Sequence, residues 1–415
     1  MKKIIKKAFR SLGIEVSRYR PHLPSRFDPL KFSDACVSLK TGKEFRGNML
    51  LSFIIEPFMT EEGGHVSQAH TNPVDSVQIA QIFLDLGYDV DVIHYRNTTF
   101  IPQKNYAFFV GARTNFQRIA TLLNRGCIKI VHLDTAHWVF NNYATFRRSL
   151  EVQQRKGISI PDSNRIIEQN LAIEYADYGT IVGNHFTAGT YAYAKKPIFV
   201  IPHSTCAVYP WPEEKSFELC KKNYVWFGSH GFVHKGLDLA LDAFAGMPDF
   251  HLYVCGPLDS EPAFTSAYQK ELFQMPNIHS IGWVDIRSPQ FIDIMNRCVG
   301  TVYPSCAECG AGNVLTCMQT GIIPVLSIES GSDIDLAFGR TLQTSSVEEI
   351  QQTVRHISDL SPDELQRMAR DAWTFARTNH TVTRFAEEYK KVISHISQAT
   401  TSGRIPEYGD FARHR

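Results

Sequence analysis

The sequence is poor in the features that mark membrane-spanning, secreted and nucleic-acid-binding proteins. A helix that crosses a bilayer needs about 18 or more consecutive apolar residues, and these 415 residues contain no such run. The apolar residues at the start are interrupted by lysines, unlike those of a secretory signal. A formal net charge of +1 gives the whole chain no attraction for nucleic acid. We therefore expect a cytoplasmic protein that binds no nucleic acid.

Signals for metal and redox chemistry are also weak. The nine cysteines are scattered, several of them in apolar runs that are typical of buried, reduced thiols. Cys306 and Cys309 form a C-x-x-C pair without a second Cys or His pair at the spacing of zinc ligands. Asp89 and Asp91 spell the D-x-D of metal-dependent sugar transferases, but they fall between a predicted helix and a predicted strand. We interpret them as solvated charges at a turn, and expect neither a metal nor a cofactor.

What the sequence does contain is an alternation of strand-like and helix-like segments, repeated twice. Apolar runs without polar alternation predict strands of a parallel sheet covered on both faces. The first series has predicted strands at 49–56, 90–95, 106–111, 128–133, 180–183 and 198–202, with helices at 74–86 and 115–123. The second has strands at 224–228, 251–256, 278–284, 301–304 and 323–327, with helices at 237–244, 291–298, 312–320, 347–357, 362–377 and 383–396.

This pattern predicts an α/β protein of two Rossmann-like, doubly wound domains that face each other across a cleft. Ligands of such sheets bind outside the carboxyl ends of the strands. No G-x-G-x-x-G follows the first predicted strand, which disfavours a dinucleotide oxidoreductase. The predicted divisions are a basic segment 1–44, a first domain 45–205, a linker 206–222, a second domain 223–378, a helix 379–398 that crosses back to the first domain, and a tail 399–415.

Residues 1–22 carry seven Lys or Arg and one Glu. A helix here would place its apolar side chains on one face and most of its basic side chains opposite. That composition is typical of a helix lying on an anionic membrane surface. A solvated, partly frayed terminus is the alternative, and the sequence does not choose between them.

The first candidate site is the connection that follows the predicted strand ending at Gly228. After a short loop, Lys235 and Gly236 open a helix. Backbone N–H groups at a helix start, with an ammonium group beside them, are suited to binding a diphosphate. A surface lysine on an ordinary strand-to-helix connection is the alternative.

The second candidate site follows the predicted strand that ends at Pro304. Gly310 and Gly312 would let the backbone approach a ligand closely where the next helix begins. Glu308 would stand at the rim, where a carboxylate can accept hydrogen bonds from sugar hydroxyls. The alternative is an acidic side chain that is stabilised by the helix dipole.

At these two stretches the chain resembles the retaining glycosyltransferases of family 4, which have the GT-B fold. The matching motifs, in the family's order and spacing, are Gly228…Lys235-Gly236, Pro304-Ser305-x-x-Glu308 and Gly321-Ile-Ile-Pro324-Val325. The alternating pattern extends the resemblance over residues 48–398. It implies a metal-independent hexosyltransferase of bacterial polysaccharide assembly. Such an enzyme moves a sugar, with retention, from a nucleotide-diphosphate sugar to a glycan or lipid-linked acceptor.

The resemblance also implies roles for single residues. Lys235 would clamp the donor diphosphate, Glu308 would hold sugar hydroxyls, and His132, at the end of a strand, would face the donor sugar. The amides of residues 310–313 would bind phosphate, residues 282–285 would frame the nucleobase, and a glycine loop after the first strand would lie close to the diphosphate. The implied donor-binding positions besides Lys235 and Glu308 are Gly63, Gly64, Gly228, Ser229, Gly282, Val284, Gly310, Ala311, Gly312, Asn313 and Thr316.

Two of these positions depart from the family's pattern. Thr316 stands where the family has a second Glu, which commonly holds the ribose, and Ser229 stands where it has an Arg. The donor site would thereby lose a ribose contact and a positive charge, for which His230, His234 or Arg287 could compensate.

For the acceptor cleft, His65, His70 and His137 are weaker candidates, with structural histidines as the alternative. Two other functions remain open besides glycosyl transfer. One is a nucleotide-sugar epimerase or phosphorylase of the same fold. The other is a non-catalytic protein with a degenerate donor site that binds a glycan or a partner protein.

Overall fold

The computed structural model describes residues 34–59, 71–160 and 165–401. The expectations for the basic segment 1–22, for Gly63 and Gly64, for His65 and His70, and for the tail from 402 lie outside the described residues.

The first domain is built on a seven-stranded sheet in the order β1-β3-β2-β4-β5-β6-β7. All neighbouring strands are parallel except β1, which pairs with β3 in the antiparallel sense. The strands are β1 (Cys36–Leu39), β2 (Gly47–Phe53), β3 (Tyr88–His94), β4 (Tyr106–Gly111), β5 (Ile128–Leu133), β6 (Tyr178–Ile181) and β7 (Ile198–Val200). The helices are α1 (Thr71–Asp85), α2 (Asn115–Leu122), α3 (Trp138–Lys156), α4 (Ala172–Tyr175) and α5 (His185–Gly189).

The second domain contains a six-stranded, wholly parallel sheet in the order β10-β9-β8-β11-β12-β13. Its strands are β8 (Asn223–Phe227), β9 (His251–Cys255), β10 (Ile278–Gly282), β11 (Gly300–Tyr303), β12 (Ile323–Ser327) and β13 (Arg340–Leu342). The helices are α6 (Phe217–Cys220), α7 (Leu237–Ala245), α8 (Pro262–Ala267), α9 (Gln269–Gln274), α10 (Pro289–Arg297), α11 (Gly312–Met318), α12 (Val347–Ser358), α13 (Pro362–Asn379) and α14 (Val382–Thr401).

These two sheets confirm the predicted α/β architecture of two Rossmann-like domains. The inner strands β8 and β12 are apolar on both faces because helices cover each side of the sheet. Helix α14 crosses back to the first domain, where Phe385, Tyr389 and Ile393 are buried in its core. Within the described ranges, no helix combines the length and the apolar character needed to cross a bilayer.

Helix α3, which the sequence pattern did not predict, joins the two domains. It starts directly after the first-domain loop that follows β5, yet Val152, near its end, is buried in the core of the second domain. Arg155 pairs with Asp238 of α7 at 2.5 Å, and Lys156 pairs with Glu271 of α9 at 2.6 Å. The helix therefore forms a structural connection between the domains.

The segment 206–222, predicted as a linker, packs against the second domain. Trp211 is 7% exposed and lies against Phe217 and Trp373. The buried Lys215 ammonium donates to the carbonyl oxygens of Met295 and Gly321, at 3.1 and 2.9 Å. Burial lowers the pKa of Lys215 to about 8. This segment thus has a fixed conformation along the second domain.

The interpretation of Asp89 and Asp91 as solvated charges at a turn is wrong. Both lie within β3 and are less than a tenth exposed. Asp89 pairs with Lys40 at 2.7 Å, and Asp91 pairs with Lys104 at 2.8 Å and accepts a hydrogen bond from Tyr106. Both carboxylates are paired with side chains in or directly beside the neighbouring strands, as buried charges usually are.

Candidate functional site

The loop that follows β11 is where the second domain meets the first. The Cys309 thiol donates to the carbonyl oxygen of Leu133 at 3.4 Å, and a Cβ on Gly310 would lie 2.7 Å from the carbonyl oxygen of Val182. Only glycine fits at 310 without displacing that backbone. Cys309 is buried in the first-domain core, so the C-x-x-C pair serves packing rather than a disulfide.

Lys235 and Glu308 meet at this interface. The ammonium of Lys235 lies 3.2 Å from Oε1 of Glu308 and donates to the hydroxyl of Tyr303 at 3.1 Å. The turn that places Lys235 needs Gly236, whose φ is +74°, because a Cβ there would collide with the carbonyl oxygen of Pro304. The structure thus brings both sequence-predicted motifs into one buried contact.

Arg165, which no sequence motif singled out, completes the cluster. It lies in the loop between α3 and α4, in the first domain. Its guanidinium is 3.1 Å from Oε2 of Glu308 and 3.2 Å from Nε2 of His234. Among the three residues considered as replacements for the missing arginine, His234 contacts this cluster. No motif surrounds Arg165, and its position depends on α3.

The charge states of the cluster follow from burial and from its cations. Burial alone would raise the pKa of Glu308, but Arg165 and then Lys235 outweigh it and hold that pKa far below its usual range. Burial and the nearby Arg165 guanidinium lower the pKa of His234 well below its ordinary value. At neutral pH the site therefore holds one carboxylate, two cations and a neutral imidazole.

The start of α11 was expected to offer free amides to a phosphate. Two of these amides have partners within the protein: Ala311 donates to Oγ of Ser332 at 3.2 Å, and Gly312 donates to the carbonyl of Gly310 at 2.9 Å. The ring of His203, another residue without a sequence signal, covers both glycines. A Cβ at either position would lie 2.8 Å from that ring.

Two further donor-binding candidates on α11 have local partners. The Asn313 amide donates to the carbonyl of Phe227, and the Thr316 hydroxyl donates to the carbonyl of Gly312 at 2.7 Å. Thr316 is therefore satisfied within its own helix and is 5% exposed. The hydrogen bond of Asn313 to Phe227 places the start of α11 next to the end of β8.

The positions expected to frame a nucleobase lie at the carboxyl end of β10. Gly282 has a φ of +85°, and a Cβ there would meet no described atom within 4 Å. Its carbonyl accepts from the Gly256 amide at 2.9 Å, while Val284 is buried beneath the loop. Gly228 and Ser229 follow β8, which β9 separates from β10, so these backbones lie at the same edge of the sheet.

His132 is buried in the core of the first domain. Its ring is 1% exposed and is packed between Phe53 of β2 and Tyr389 of α14. Nδ1 lies 3.0 Å from the hydroxyl of Thr180, and burial lowers the pKa of His132 to about 4. The ring therefore belongs to the core beneath the crossing helix α14.

His137, a candidate for the acceptor cleft, lies at the start of α3. Its Nε2 is 3.1 Å from the Tyr193 hydroxyl, which donates to Glu174 at 2.5 Å. These three residues line a surface cavity of about 640 Å³ together with Trp138 and Tyr143. The cavity lies in the first domain.

The similarity of this chain to known proteins is one of fold. No protein-family model matches the chain, and no curated protein matches its sequence. Sucrose-phosphate synthase from Thermosynechococcus elongatus has a TM-score of 0.59 at 13% identity, over 85% of this chain and 100% of that one. A glycosyltransferase from Rickettsia africae has a TM-score of 0.56 at 12% identity, with 85% and 99% covered.

A third similar structure is HepE from Anabaena, in complex with UDP and glucose. Its TM-score is 0.52 at 12% identity, and the match covers 84% of this chain and 99% of that one. At such low identity the similarity concerns the backbone alone. The chain therefore has the GT-B fold that these glycosyltransferases share.

Proposed function

We propose that the chain is a glycosyltransferase that moves a hexose from a nucleotide-diphosphate sugar to a glycan or lipid-linked acceptor. The second domain, 223–378, would bind the donor, and the first, 45–205, would bind the acceptor. The observation that carries the proposal is the buried contact of Lys235 with Glu308 at the interface of a GT-B fold. The similar HepE structure, which contains UDP and glucose, supports a nucleotide sugar as donor.

In such a site the protein has to stabilise the charge that develops on the leaving diphosphate. A buried ammonium group does this without reorganisation at the moment of reaction, and one such donor contributes about 2–4 kcal/mol to the transition state. Lys235, 6% exposed, is the group we assign to this task, without a metal ion. Glu308, ionised throughout the neutral range, would accept hydrogen bonds from the sugar hydroxyls.

We further propose that transfer proceeds with retention at the anomeric carbon, as the family resemblance implies. The bond between the anomeric carbon and the diphosphate breaks with its electron pair going to the phosphate oxygen. That oxygen then takes the proton of the acceptor hydroxyl as the new bond forms on the same face of the sugar.

The departures at Thr316 and Ser229 affect affinity and nucleotide choice in this proposal. Thr316 donates to its own helix instead of presenting a carboxylate to a ribose. A degenerate, non-catalytic donor site is the competing interpretation, but the intact contact of Lys235 with Glu308 favours a working site. An epimerase or phosphorylase would differ in forming product from the nucleotide sugar without any acceptor.

The test is a thermal-shift screen with UDP, GDP and ADP and their hexose derivatives, followed by a search for transfer products. Ligands that bind only the folded chain raise its melting temperature. We expect one nucleotide to raise it and its sugar to be consumed only when a glycan or lipid-linked acceptor is present. Absence of any shift at millimolar nucleotide would exclude the donor site.

For the basic segment 1–22 we propose peripheral contact with anionic lipids, which would bring the enzyme to a lipid-linked acceptor. Seven Lys or Arg against one Glu support this, since each basic residue near an anionic surface contributes about 1 kcal/mol.

A further inference from the structure

We propose that Arg165, in the loop between α3 and α4 of the first domain, is a second cation of the donor site and binds the diphosphate. The inference rests on the proposed function and deepens it. The Arg165 guanidinium lies 3.1 Å from Oε2 of Glu308, and the Lys235 ammonium lies 3.2 Å from Oε1. The carboxylate thus lies between a cation of each domain, where a bound diphosphate would place its own oxygens.

The backbone around Arg165 is fixed by two neighbouring asparagines of α3. The Asn141 amide donates to the carbonyl of Arg165 at 2.7 Å. Asn142 donates to the carbonyl of Ile167 and accepts from the amide of Ile167, both at 2.9 Å. Because α3 is itself attached to the second domain through Arg155 and Asp238, this loop is carried to the donor site by a rigid element.

The side chain of Arg165 lies directly on the loop between β8 and α7. A Cβ on Gly231 would be 2.5 Å from Cγ and 2.6 Å from Cδ of Arg165, so glycine is required for this approach. The φ of Gly231 is +90°, which also favours glycine. The aliphatic part of Arg165 therefore packs on the same loop that positions Lys235.

The chemistry of the guanidinium fits a diphosphate. Its planar set of N–H donors matches two anionic oxygens of a carboxylate or a phosphate. When Glu308 turns to sugar hydroxyls, it releases a cation that is already buried and positioned. As the anomeric bond breaks, the electron pair goes to the diphosphate oxygen, and Arg165 offsets that charge together with Lys235. The donor site is then complete only with this cation from the loop between α3 and α4.

The proposal is tested on the full-length protein with Arg165→Ala, Arg165→Lys and the control Arg147→Ala, an exposed arginine of α3. The dissociation constants of UDP, GDP and ADP are measured by calorimetry at several salt concentrations. For the nucleotide that the wild type binds, we expect Arg165→Ala to weaken binding about 10-fold to 100-fold, as for loss of a charge-assisted hydrogen bond. Arg165→Lys should bind with intermediate affinity, and Arg147→Ala like the wild type.

Salt dependence separates a phosphate contact from a structural role. If Arg165 touches the diphosphate, its removal makes nucleotide binding less sensitive to salt, because fewer charges are neutralised. Asn142→Ala should show a smaller loss of nucleotide affinity and of salt sensitivity. This variant tests the proposal if Arg165→Ala fails to fold. Equal affinity of wild type and Arg165→Ala, or tighter binding by the variant, would overturn the proposal while leaving the transferase intact. A wild type that binds none of the three nucleotides would instead overturn the proposed function.

Discussion

The ammonium of Lys235 and the carboxylate of Glu308 lie 3.2 Å apart. In the chain they are separated by strands β9, β10 and β11 and by the helices between them. Both follow parallel strands of one sheet, β8 and β11, which are hydrogen-bonded neighbours. The carboxyl ends of neighbouring parallel strands lie at the same edge, so residues after them converge there.

Replacing Lys235 by Ala should reduce kcat/KM for glycosyl transfer by about 100-fold to 1,000-fold, because a buried charge facing the leaving group is lost. Steady-state kinetics with the donor identified by the nucleotide screen measures this. Lys270→Ala, an exposed lysine of α9, is the matched control and should leave the kinetics unchanged. Full activity of the Lys235 variant would remove the residue from the site.

Replacing Glu308 by Gln should abolish measurable transfer, since the amide no longer pairs with Lys235 and Arg165. We also expect a less stable protein, by about 3–5 kcal/mol, because two buried cations lose their common partner. Urea denaturation and an activity assay on the same preparation separate the two effects. Glu348→Gln, on the exposed face of α12, should behave like the wild type. An active Glu308→Gln variant would contradict the role assigned to the carboxylate.

The carboxyl of Asp75, buried in α1 and accepting a hydrogen bond from Ser204 at 2.8 Å, should make stability depend on pH. Burial raises its pKa from 3.8 to about 7. The folded state thus holds a proton that the unfolded state has lost, and this contribution to stability disappears as pH rises from 3.8 through about 7. Asp75→Asn should remove a slope of about 1.4 kcal/mol per pH unit in that window. Urea denaturation at pH 5, 6, 7 and 8 measures it, and identical slopes for both proteins would refute it.

Replacing Gly236 by Ala should lower the free energy of unfolding by about 1–3 kcal/mol. The φ of +74° strains any other residue, and the added Cβ meets the carbonyl of Pro304. Because Lys235 precedes the strained position, activity should fall together with stability. Gly189→Ala in α5, whose Cβ would meet no described atom within 4 Å, should be close to neutral. Similar denaturation midpoints for the two variants would contradict this account.

Deleting residues 1–22 should release the protein from vesicles containing anionic lipid while leaving nucleotide binding unchanged. The reason is the loss of seven basic residues from one short segment. Co-sedimentation with phosphatidylserine vesicles at low and high salt measures the effect, and vesicles of neutral lipid are the control. Unchanged sedimentation of the truncated protein would show that this segment is not the anchor.

Much of the fold was predictable because it depends on local patterning. The bounds of β4, β5 and β12 agree with the predicted strands, since each is an apolar run limited by polar or turn residues. Helix α3 was not predicted because its residues lack such a local pattern. Val139, Tyr143, Phe146 and Leu150 are about half exposed, while Val152 and Arg148 are buried against the other domain. Its pattern therefore does not separate one apolar face from one polar face.

Site residues that belong to a sequence motif were predictable. Site residues that come from the other domain were not. Lys235 and Glu308 follow strands that the sequence reveals, and glycines mark the turns beside them. His132 was likewise chosen as a site residue from its position at the end of a predicted strand. Side chains alternate between the two faces of a sheet, however, so the strand alone does not say what His132 will face. That α14 would cover this particular face is a property of residues far away in the chain.

By itself the sequence determined two parallel sheets and the two loops that carry the paired lysine and glutamate, because burial on both faces and tight turns leave their mark on neighbouring residues. Only the tertiary structure decided that Arg165 joins them, that α3 connects the domains and that His132 is enclosed beneath the last helix. These depend on contacts between segments far apart in the chain, and local composition does not encode which distant surface a residue will meet.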